Sequence, residues 1–388
     1  MVVEPKFRNN IFMNAHPAGC AAEVGRQIDW VRSRARVDGP KRVLVVGSST
    51  GYGLASRIVA AFGAGASTVG VAFEKEGSEK RTGTAGWYNT KAFDERARRT
   101  GLVAESINAD AFSDAVKSET VRLVKEKLGE VDLLVYSLAS PVRTDPKSGE
   151  LYRSVLKPIG TSYSAQSVDM MSGEIKEFSV DAATAEEIAQ TEKVMGGEDW
   201  TLWIDALEKG GVIGKGMKTV AFSYIGPSVT SAIYRAGTIG RAKEHLEHTA
   251  HELSKRLASK GGSAYVSVNK AVVTRSSAVI PVVPLYISIL FKVMKQKGVH
   301  EGCIEQMYRL FAERLYAGGS VPVDDEGRIR LDDLEMRDDV QREVTEVMKR
   351  VSTQNFSQVA DVEGYRRDFF QIHGFDVEGV DYAADVAT

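Results

Sequence analysis

The sequence predicts an α/β protein built on a doubly wound parallel sheet, and two patterns support that prediction. Residues 42–47 form a continuous apolar run that ends in Gly47, which is typical of a strand buried on both faces of a parallel sheet. Similar runs recur as far as residue 268, and helical patterns separate most of them. This alternation favours right-handed crossovers between parallel strands, as in Rossmann-type folds.

The predicted elements alternate regularly as far as the fourth strand. Strands are predicted at 42–47, 67–73, 102–107, 131–137, 219–224 and 264–268, and helices at 54–62, 90–100, 114–128 and 241–257. The interval between the fourth and fifth strands is about 80 residues long, far more than one crossover helix needs. We expect an insertion on the rim of the sheet, with a hairpin around Met171-Ser172-Gly173 and a helix at 200–207.

The C-terminal part is predicted to be helical, at 285–295, 300–316 and 337–351. Residues 276–291 are apolar, but the stretch is too short to span a bilayer and contains Pro281 and Pro284, so we expect a buried turn and helix. We expect a single enlarged domain over 1–388. Its nucleotide-binding core comprises 40–140 and 217–275, its insertion near the substrate site 141–216, and its helical substrate-side and C-terminal segment 276–388.

The composition is that of an ordinary soluble globular protein, with 43% hydrophobic and 26% charged residues. A net charge of −2 argues against a nucleic-acid binder, which would show a strong basic excess. Cys20 and Cys303 are isolated, which indicates a reducing cytoplasm and no structural metal. The first residues lack the apolar core of a signal peptide, so we expect a cytoplasmic protein that is not attached to a membrane.

A glycine loop follows the first predicted strand and reads Gly47-Ser48-Ser49-Thr50-Gly51-Tyr52-Gly53. Glycines let backbone N–H groups approach a pyrophosphate at a helix N-terminus, and the G-x3-G-x-G spacing is the form found in short-chain reductases. The loop also fits G-x-S-x-G, the nucleophile elbow of α/β-hydrolases. That alternative leaves Gly53 without a role, and no His-Gly-Gly-Gly-like segment precedes the loop. The loop therefore favours dinucleotide binding.

The choice between the two nicotinamide cofactors depends on Glu74, which lies 21 residues after Gly53. At that distance a carboxylate usually accepts hydrogen bonds from the adenosine ribose diol, and it would repel a 2′-phosphate. The pattern favours NADH. The alternative is that Glu74 is a solvated loop charge and that Lys75, Lys80 or Arg81 neutralises a phosphate.

Tyr234 and Lys243 are the candidate catalytic pair, since a phenol beside an ammonium is a better acid and an ammonium can hold the nicotinamide ribose. In common short-chain reductases the two residues are four apart. Here they are nine apart, which would place them on opposite faces of one regular helix. We therefore expect Tyr234 to lie before the helix, with Gly237 and Gly240 supplying the break and Thr238 as a cap.

Tyr224 ends the fifth predicted strand, in Phe222-Ser223-Tyr224-Ile225-Gly226-Pro227. Its position predicts that it lies at the edge of the sheet where the strands end and the cofactor binds. There it could hydrogen-bond a substrate carbonyl or pack as an aromatic at the strand end, and the sequence leaves both readings open.

Seven segments of the chain resemble the FabV/TER family of trans-2-enoyl-ACP and trans-2-enoyl-CoA reductases. They are Arg8-Asn9-Asn10-Ile11, the glycine loop, Gly86-Trp87-Tyr88-Asn89, residues 136–143, Tyr224-Ile225-Gly226-Pro227, Tyr234-x8-Lys243 and Val268-Asn269-Lys270. The resemblance covers essentially the whole chain and implies an enlarged short-chain-reductase fold, usually monomeric, that uses NADH.

The resemblance also implies roles for individual residues. Tyr234 would be the proton donor, Lys243 a cofactor ligand and Tyr224 a substrate contact. Cofactor contacts are implied at Gly47, Ser48, Ser49, Thr50, Gly51, Tyr52, Phe73, Glu74, Asp110, Ala111, Leu138, Ala139, Val272, Val273 and Thr274.

The leading functional hypothesis is NADH-dependent reduction of enoyl thioesters in fatty acid synthesis, with enoyl-CoA or an enoyl-acyl-carrier protein as partner. A carbonyl (3-ketoacyl) reductase uses the same pair of residues and is the first alternative. The second is a non-catalytic NADH-binding sensor, against which intact Tyr234 and Lys243 argue. His245, His248 and His251 lack a metal motif, and the acidic pairs near 324–326 and 332–333 are interpreted as solvated turns.

Overall fold

The computed structural model describes residues 1–8 and 11–388, so that Asn9 and Asn10 of the Arg8-Asn9-Asn10-Ile11 motif lie outside it. Its strands are β1 (Phe7–Arg8), β2 (Ile11–Phe12), β3 (Arg42–Val46), β4 (Ser67–Ala72), β5 (Ala104–Asn108), β6 (Val131–Tyr136), β7 (Val142–Thr144), β8 (Leu151–Arg153), β9 (Tyr163–Val168), β10 (Ile175–Val180), β11 (Ile213–Ser223), β12 (Ser263–Val268) and β13 (Ile329–Arg330).

The α-helices alternate with the strands of the core and dominate the C-terminal part. They are α1 (Pro17–Arg32), α2 (Gly51–Ile58), α3 (Ala85–Arg99), α4 (Asp114–Lys127), α5 (Ala185–Met195), α6 (Glu198–Gly210), α7 (Thr238–Leu257), α8 (Val283–Gln296), α9 (Cys303–Arg309), α10 (Asp338–Arg350), α11 (Phe356–Val359) and α12 (Val362–Gln371). Both α2 and α9 continue into a π-helical turn.

The central sheet of the described residues has seven parallel strands in the order β13-β12-β11-β6-β3-β4-β5. Within this sheet the chain first forms β3 in the middle and then adds β4 and β5 towards one edge. It returns to form β6 on the other side of β3 and continues to the opposite edge. The order therefore reverses between β3 and β6, which is where a doubly wound sheet opens a crevice at the carboxyl ends of its strands. The predicted Rossmann-type sheet is confirmed.

Helices cover both faces of the sheet because every central strand is apolar on both sides. On one face α1, α2, α3 and α9 pack with residues such as Ile28, Ile58 and Phe93. On the other face α4, α6 and α7 pack around Trp200 and Trp203, both fully buried. Apolar burial of this extent is the main favourable term in folding.

A third apolar cluster lies beyond the carboxyl ends of the strands and belongs to the insertion and the C-terminal helices. The hairpin β9–β10 packs against α8, and α10 and α12 pack against the other sides of α8. Tyr234 is part of this cluster. The insertion and the C-terminal segment thus form one wall at the edge of the sheet where the crevice opens.

Most predicted elements are confirmed, including the hairpin, whose β9 and β10 flank Met171-Ser172-Gly173, and the buried turn and helix after residue 276. Two elements begin well before their predicted starts: α3 at Ala85 rather than at 90, and the fifth core strand at Ile213 rather than at 219. The strand is longer because a register shift between Ile213 and Lys218 lets it run past the glycines there. Helices α1, α5, α11 and α12, the short strands β1, β2, β7 and β8, and the edge strand β13 were not predicted. Over the described residues, the helices are too short or too polar to cross a membrane.

Candidate active site

The glycine loop leaves β3 and enters α2 at Gly51. Gly47 has a φ of 87°, and a Cβ there would lie 2.2 Å from the carbonyl oxygen of Ser137, so a side chain would clash with the end of β6. Thr50 is the N-cap residue and, among the residues described, finds no backbone amide to cap with its side chain. The first amides of α2 remain available for an anion, which fits the pyrophosphate of a dinucleotide.

A single cavity of about 1410 Å³ brings together most of the predicted site residues. It is lined by Gly47, Ser49, Thr50, Gly51, Tyr52, Phe73, Glu74, Asp110, Ala111, Leu138, Ala139, Tyr224, Tyr234, Lys243, Val272 and Thr274. Ser48 and Val273 do not line it. The Ser48 hydroxyl donates to the carbonyl of Val71 at 3.3 Å, and Val273 packs into the apolar cluster around α8.

The end of β4 presents a ring and a carboxylate to this cavity. Phe73 is 75% exposed, which leaves its face open to a flat ligand such as a purine. The Glu74 side chain is only 8% exposed and accepts a hydrogen bond from the Ser49 hydroxyl at 2.8 Å. The alternative in which Glu74 is a solvated loop charge is therefore wrong, because the glycine loop and Arg275 enclose it.

Tyr234 lies in the turn before α7, and Lys243 lies on the helix itself. The turn folds back onto the first helical turn, where a Cβ at Gly240 would lie 2.1 Å from the carbonyl oxygen of Arg235. This close approach explains how residues nine apart reach one cavity. Thr238 is not the cap: Gly237 holds that position, and the Thr238 hydroxyl donates to the carbonyl of Val155 at 2.5 Å.

Burial is the largest influence on the pKa values of Tyr234 and Lys243. It raises the pKa of Tyr234, and the charge of Glu335 raises it further, so the phenol holds its proton at neutral pH. Burial lowers the pKa of Lys243 to about 8, and its Nζ donates to the carbonyl of Phe222 at 3.0 Å. Desolvation, and not the charge of Lys243, therefore sets the direction in which the pKa of Tyr234 is shifted.

Tyr224 lies directly after β11, with its ring 4.9 Å from that of Tyr234 in an edge-to-face arrangement. Its hydroxyl donates to Glu335 Oε1 at 3.0 Å, and Tyr286 donates to the same oxygen at 2.7 Å. The amide of Ala271 donates to Oε2 at 2.7 Å. Sequence analysis missed Glu335, since nothing in its local pattern separates it from the surface acids around it.

The prediction that the acidic pair at 332–333 lies in a solvated turn is wrong for one of the two residues. Asp332 is 1% exposed and pairs with Arg330 at 2.6 Å, whereas Asp333 is exposed. The histidines on α7 are not gathered into a metal site among the residues that the structure describes. His245 instead accepts a hydrogen bond from the amide of Gly197 at 2.9 Å.

The fold and the cavity together define a class of protein. A dinucleotide loop at the switch point of a parallel sheet, facing a protonated phenol and a half-buried lysine, is the arrangement of nicotinamide-dependent reductases of the short-chain type. The chain belongs, more narrowly, to the trans-2-enoyl-CoA reductase family. Residues 81–316 match the family model described as the catalytic region of trans-2-enoyl-CoA reductase, and residues 2–79 match its NAD(P)H binding domain.

Individual relatives are similar over the whole chain. An NADH enoyl-[acyl-carrier-protein] reductase of Flavobacterium psychrophilum is 54% identical and covers 99% of this chain and 97% of its own. One of Coxiella burnetii is 55% identical, with 100% and 96% covered. The crystal structure of Treponema denticola trans-2-enoyl-CoA reductase in complex with NAD has a TM-score of 0.96 at 55% identity, with 100% and 98% covered.

A third family model, described as an enoyl reductase FAD binding domain, matches residues 323–386. That segment, which the structure describes completely, forms β13 and three helices and has no second strand–glycine-loop–helix unit. Its residues do not fit a flavin site of the dinucleotide-loop type. Its contributions to the cavity are Phe369 and His373, and behind the cavity it supplies Glu335.

Proposed function

We propose that the protein reduces the trans-2 double bond of enoyl thioesters with NADH, in fatty acid synthesis, and releases the saturated acyl thioester. The observation that carries the proposal is the protonated phenol of Tyr234 in the same cavity as the glycine loop and Lys243. The relatives named above act on carrier-protein or CoA thioesters, which supports a thioester substrate here.

The cavity has a part suited to each half of the reaction. Backbone amides at the start of α2 would hold the pyrophosphate, Glu74 would hold the adenosine ribose, and the exposed ring of Phe73 would stack on the adenine. Beyond Tyr234 the lining is apolar, as an acyl chain requires, and includes Ile239, Ile280, Val283, Ile287 and Phe369. The remaining cofactor contacts implied by the resemblance are part of the same proposal.

NADH, when bound, would supply a hydride for the β-carbon of the enoyl group. Negative charge then develops on the thioester oxygen, and the Tyr234 hydroxyl donates a hydrogen bond to it and supplies the proton that completes the saturated chain. The Lys243 ammonium holds the nicotinamide ribose and offsets part of the negative charge. Tyr224 contacts the substrate with a ring that Glu335 holds in place.

The test compares two thioesters in one assay of NADH oxidation. We expect rapid oxidation with a trans-2-enoyl-CoA and at least a hundredfold slower oxidation with the 3-ketoacyl-CoA of equal chain length, about the selectivity that a positioned contact provides. Preference for the ketone would make the protein a carbonyl reductase. Tight NADH binding without turnover of either thioester would make it a sensor.

The proposal also treats residues 1–388 as one domain, with the core at 40–140 and 217–275, and as a monomer in solution. The cavity is completed within one chain, by the insertion and the C-terminal helices. One cooperative unfolding transition and a monomer mass by light scattering are the expected results. Two separate transitions would show independent domains, and a dimer mass would refute the monomer.

A further inference from the structure

Arg275 forms an ion pair with Glu74 at the adenosine end of the cavity. Its Nη1 lies 2.9 Å from Glu74 Oε1 and 3.2 Å from Oε2, although the two residues are 201 positions apart in the chain. Arg275 follows Thr274 in the loop after β12, and its side chain is 41% exposed. The carboxylate that is proposed to select NADH is therefore not an isolated negative charge.

The Glu74 carboxylate is fixed from several sides. The Asn108 side chain accepts from the Glu74 amide at 2.7 Å and donates to its carbonyl at 3.0 Å, which fixes the backbone. The Ser49 hydroxyl binds Oε1, and a Cβ at Gly86, in the first turn of α3, would lie 2.2 Å from the same oxygen. Asn108 is also exposed, but it holds the backbone of Glu74. Arg275 is therefore the exposed contact of the carboxylate itself and the part that can move.

Hydrogen-bond capacity shows why movement is needed. A carboxylate offers about four acceptor positions, and Ser49 and the two contacts of Arg275 use three of them. A ribose diol that donates two hydrogen bonds needs two positions. Seating the ribose on Glu74 therefore displaces at least one contact of Arg275, and the guanidinium remains beside the ribose with unused N–H donors.

We infer that Arg275 is a specificity-determining residue for the cofactor: it is the counter-ion of Glu74 in the free protein and the ligand of a 2′-phosphate whenever Glu74 does not hold the ribose. The inference rests on the proposed seat of the adenosine ribose at Glu74. Because the positive charge of Arg275 compensates the negative charge of Glu74, Arg275 weakens the preference for NADH over NADPH. A guanidinium fork is also the side chain best suited to a phosphate.

Arg275 is better placed to bind the phosphate than Lys75, one of the three cations that the sequence offers for that role. Lys75 is exposed and lines the same cavity, but in the described structure it forms no ion pair with Glu74. Arg275 already has the reach, since its guanidinium touches both oxygens of the carboxylate. Replacing Glu74 by serine would leave room for a phosphate where the carboxylate lies now.

The experiment is a double-mutant cycle on binding, with 2′,5′-ADP and 5′-AMP as probes in isothermal titration calorimetry. The proteins are the wild type, E74S, R275Q and E74S/R275Q. We expect E74S to raise the affinity for 2′,5′-ADP relative to 5′-AMP by about tenfold, the worth of one strong ionic hydrogen bond. In the R275Q background, E74S should raise the affinity for 2′,5′-ADP relative to 5′-AMP less than about threefold. R275Q alone should lower this relative affinity.

K75Q and E74S/K75Q are the matched controls, because Lys75 is the neighbouring cation. E74S should still raise the affinity for 2′,5′-ADP relative to 5′-AMP when Lys75 is replaced by glutamine. Equal gains in both Arg275 backgrounds, or a gain lost with K75Q alone, would overturn the inference. The inference would also be overturned if R275Q lowered the affinities for both probes by the same factor. Arg275 would then only hold Glu74 in place and would not bind the phosphate.

Failure of the proposed function has a different signature. If 5′-AMP and NADH did not bind the wild type, or if E74S left both probes unaffected, the ribose seat at Glu74 would be wrong, and the inference with it. If the probes bind as expected but enoyl thioesters are not reduced, the inference on Arg275 stands while the proposed reaction fails. NADPH:NADH ratios of kcat/KM in the same proteins should follow the binding ratios.

Discussion

The hydroxyl of Tyr224 donates to the carboxylate of Glu335, 3.0 Å away, although the residues are 111 positions apart in the chain. Glu335 is fully buried, and its three hydrogen bonds leave it satisfied without water. The bond fixes the ring that packs edge-to-face on Tyr234. A residue from the C-terminal segment thus sets the position of a cavity residue on the central sheet.

We predict that E335Q lowers kcat about tenfold or more, because loss of the carboxylate removes a charge-assisted hydrogen bond and frees the Tyr224 ring. Y224F should cost a similar factor. The two changes act through one contact, so the double variant should be no more than about threefold worse than the poorer single variant. Steady-state kinetics on the four proteins measures this. Losses that multiply would show that Glu335 acts independently of Tyr224, and unchanged NADH affinity controls for misfolding.

Gly240 is predicted to be essential for the turn that carries Tyr234. A methyl group there would meet the carbonyl oxygens of Arg235 and Tyr234 at 2.1 and 2.5 Å, both of them rigid backbone atoms. We expect G240A to destabilise the protein by about 1–3 kcal/mol and to lower kcat, because the turn must move. Thermal unfolding and turnover are the measurements.

The control is G25A on α1, where the nearest atoms to the new methyl group belong to the end of the flexible Arg96 side chain, at 3.1 Å. That variant should be neutral or slightly more stable, since alanine is the better helix former. A G240A protein with normal stability and turnover would contradict the structural explanation of the nine-residue spacing.

Lys243 is predicted to reduce stability in return for function. Folding lowers its pKa from 10.5 to about 8, so between these values the unfolded chain binds more protons and stability rises with pH. Below pH 8 the burial of the ammonium costs about 3 kcal/mol in full. K243M should therefore be more stable than the wild type at pH 7, and the difference should shrink towards pH 10.5. Urea unfolding at both pH values tests this, and Lys270, which titrates in the same range, is common to both proteins.

K243M should also bind NADH more weakly and turn over slowly, because the ribose and the developing negative charge both lose the ammonium. In the wild type, turnover should fall as the pH rises above about 8, where Lys243 loses its proton. A K243M protein with normal NADH affinity and rate would make Lys243 a packing residue only.

The sequence predicted those parts of the site that follow from local patterns. An apolar run ending in Gly47 marks a buried strand and a phosphate loop, and the glycines at 237 and 240 explain how Tyr234 and Lys243 converge. Helix α1 was not predicted although Val24, Ile28 and Val31 have helical spacing, because the first half of the helix, Pro17 to Ala22, consists of small residues that weaken the pattern.

Contacts between distant segments could not be predicted. Glu335 reaches Tyr224 behind the cavity only because α10 packs on α8, and Arg275 reaches the cavity because the loop after β12 returns to the glycine loop. In the chain each looks like an ordinary charged residue of a polar stretch. The same limit explains why Asp332 was assigned to a solvated turn: its burial depends on Arg330 and on the backbone of Val268.

The most direct test of the account is the turnover of Y234F with NADH and a trans-2-enoyl-CoA, measured beside its NADH affinity. Phenylalanine keeps the ring that packs against Tyr224 and removes only the hydroxyl that supplies the proton. We predict that kcat falls by roughly two to four orders of magnitude, the usual contribution of a positioned acid, while the Kd for NADH changes less than about threefold. Turnover within tenfold of the wild type would contradict the assignment of Tyr234 as proton donor.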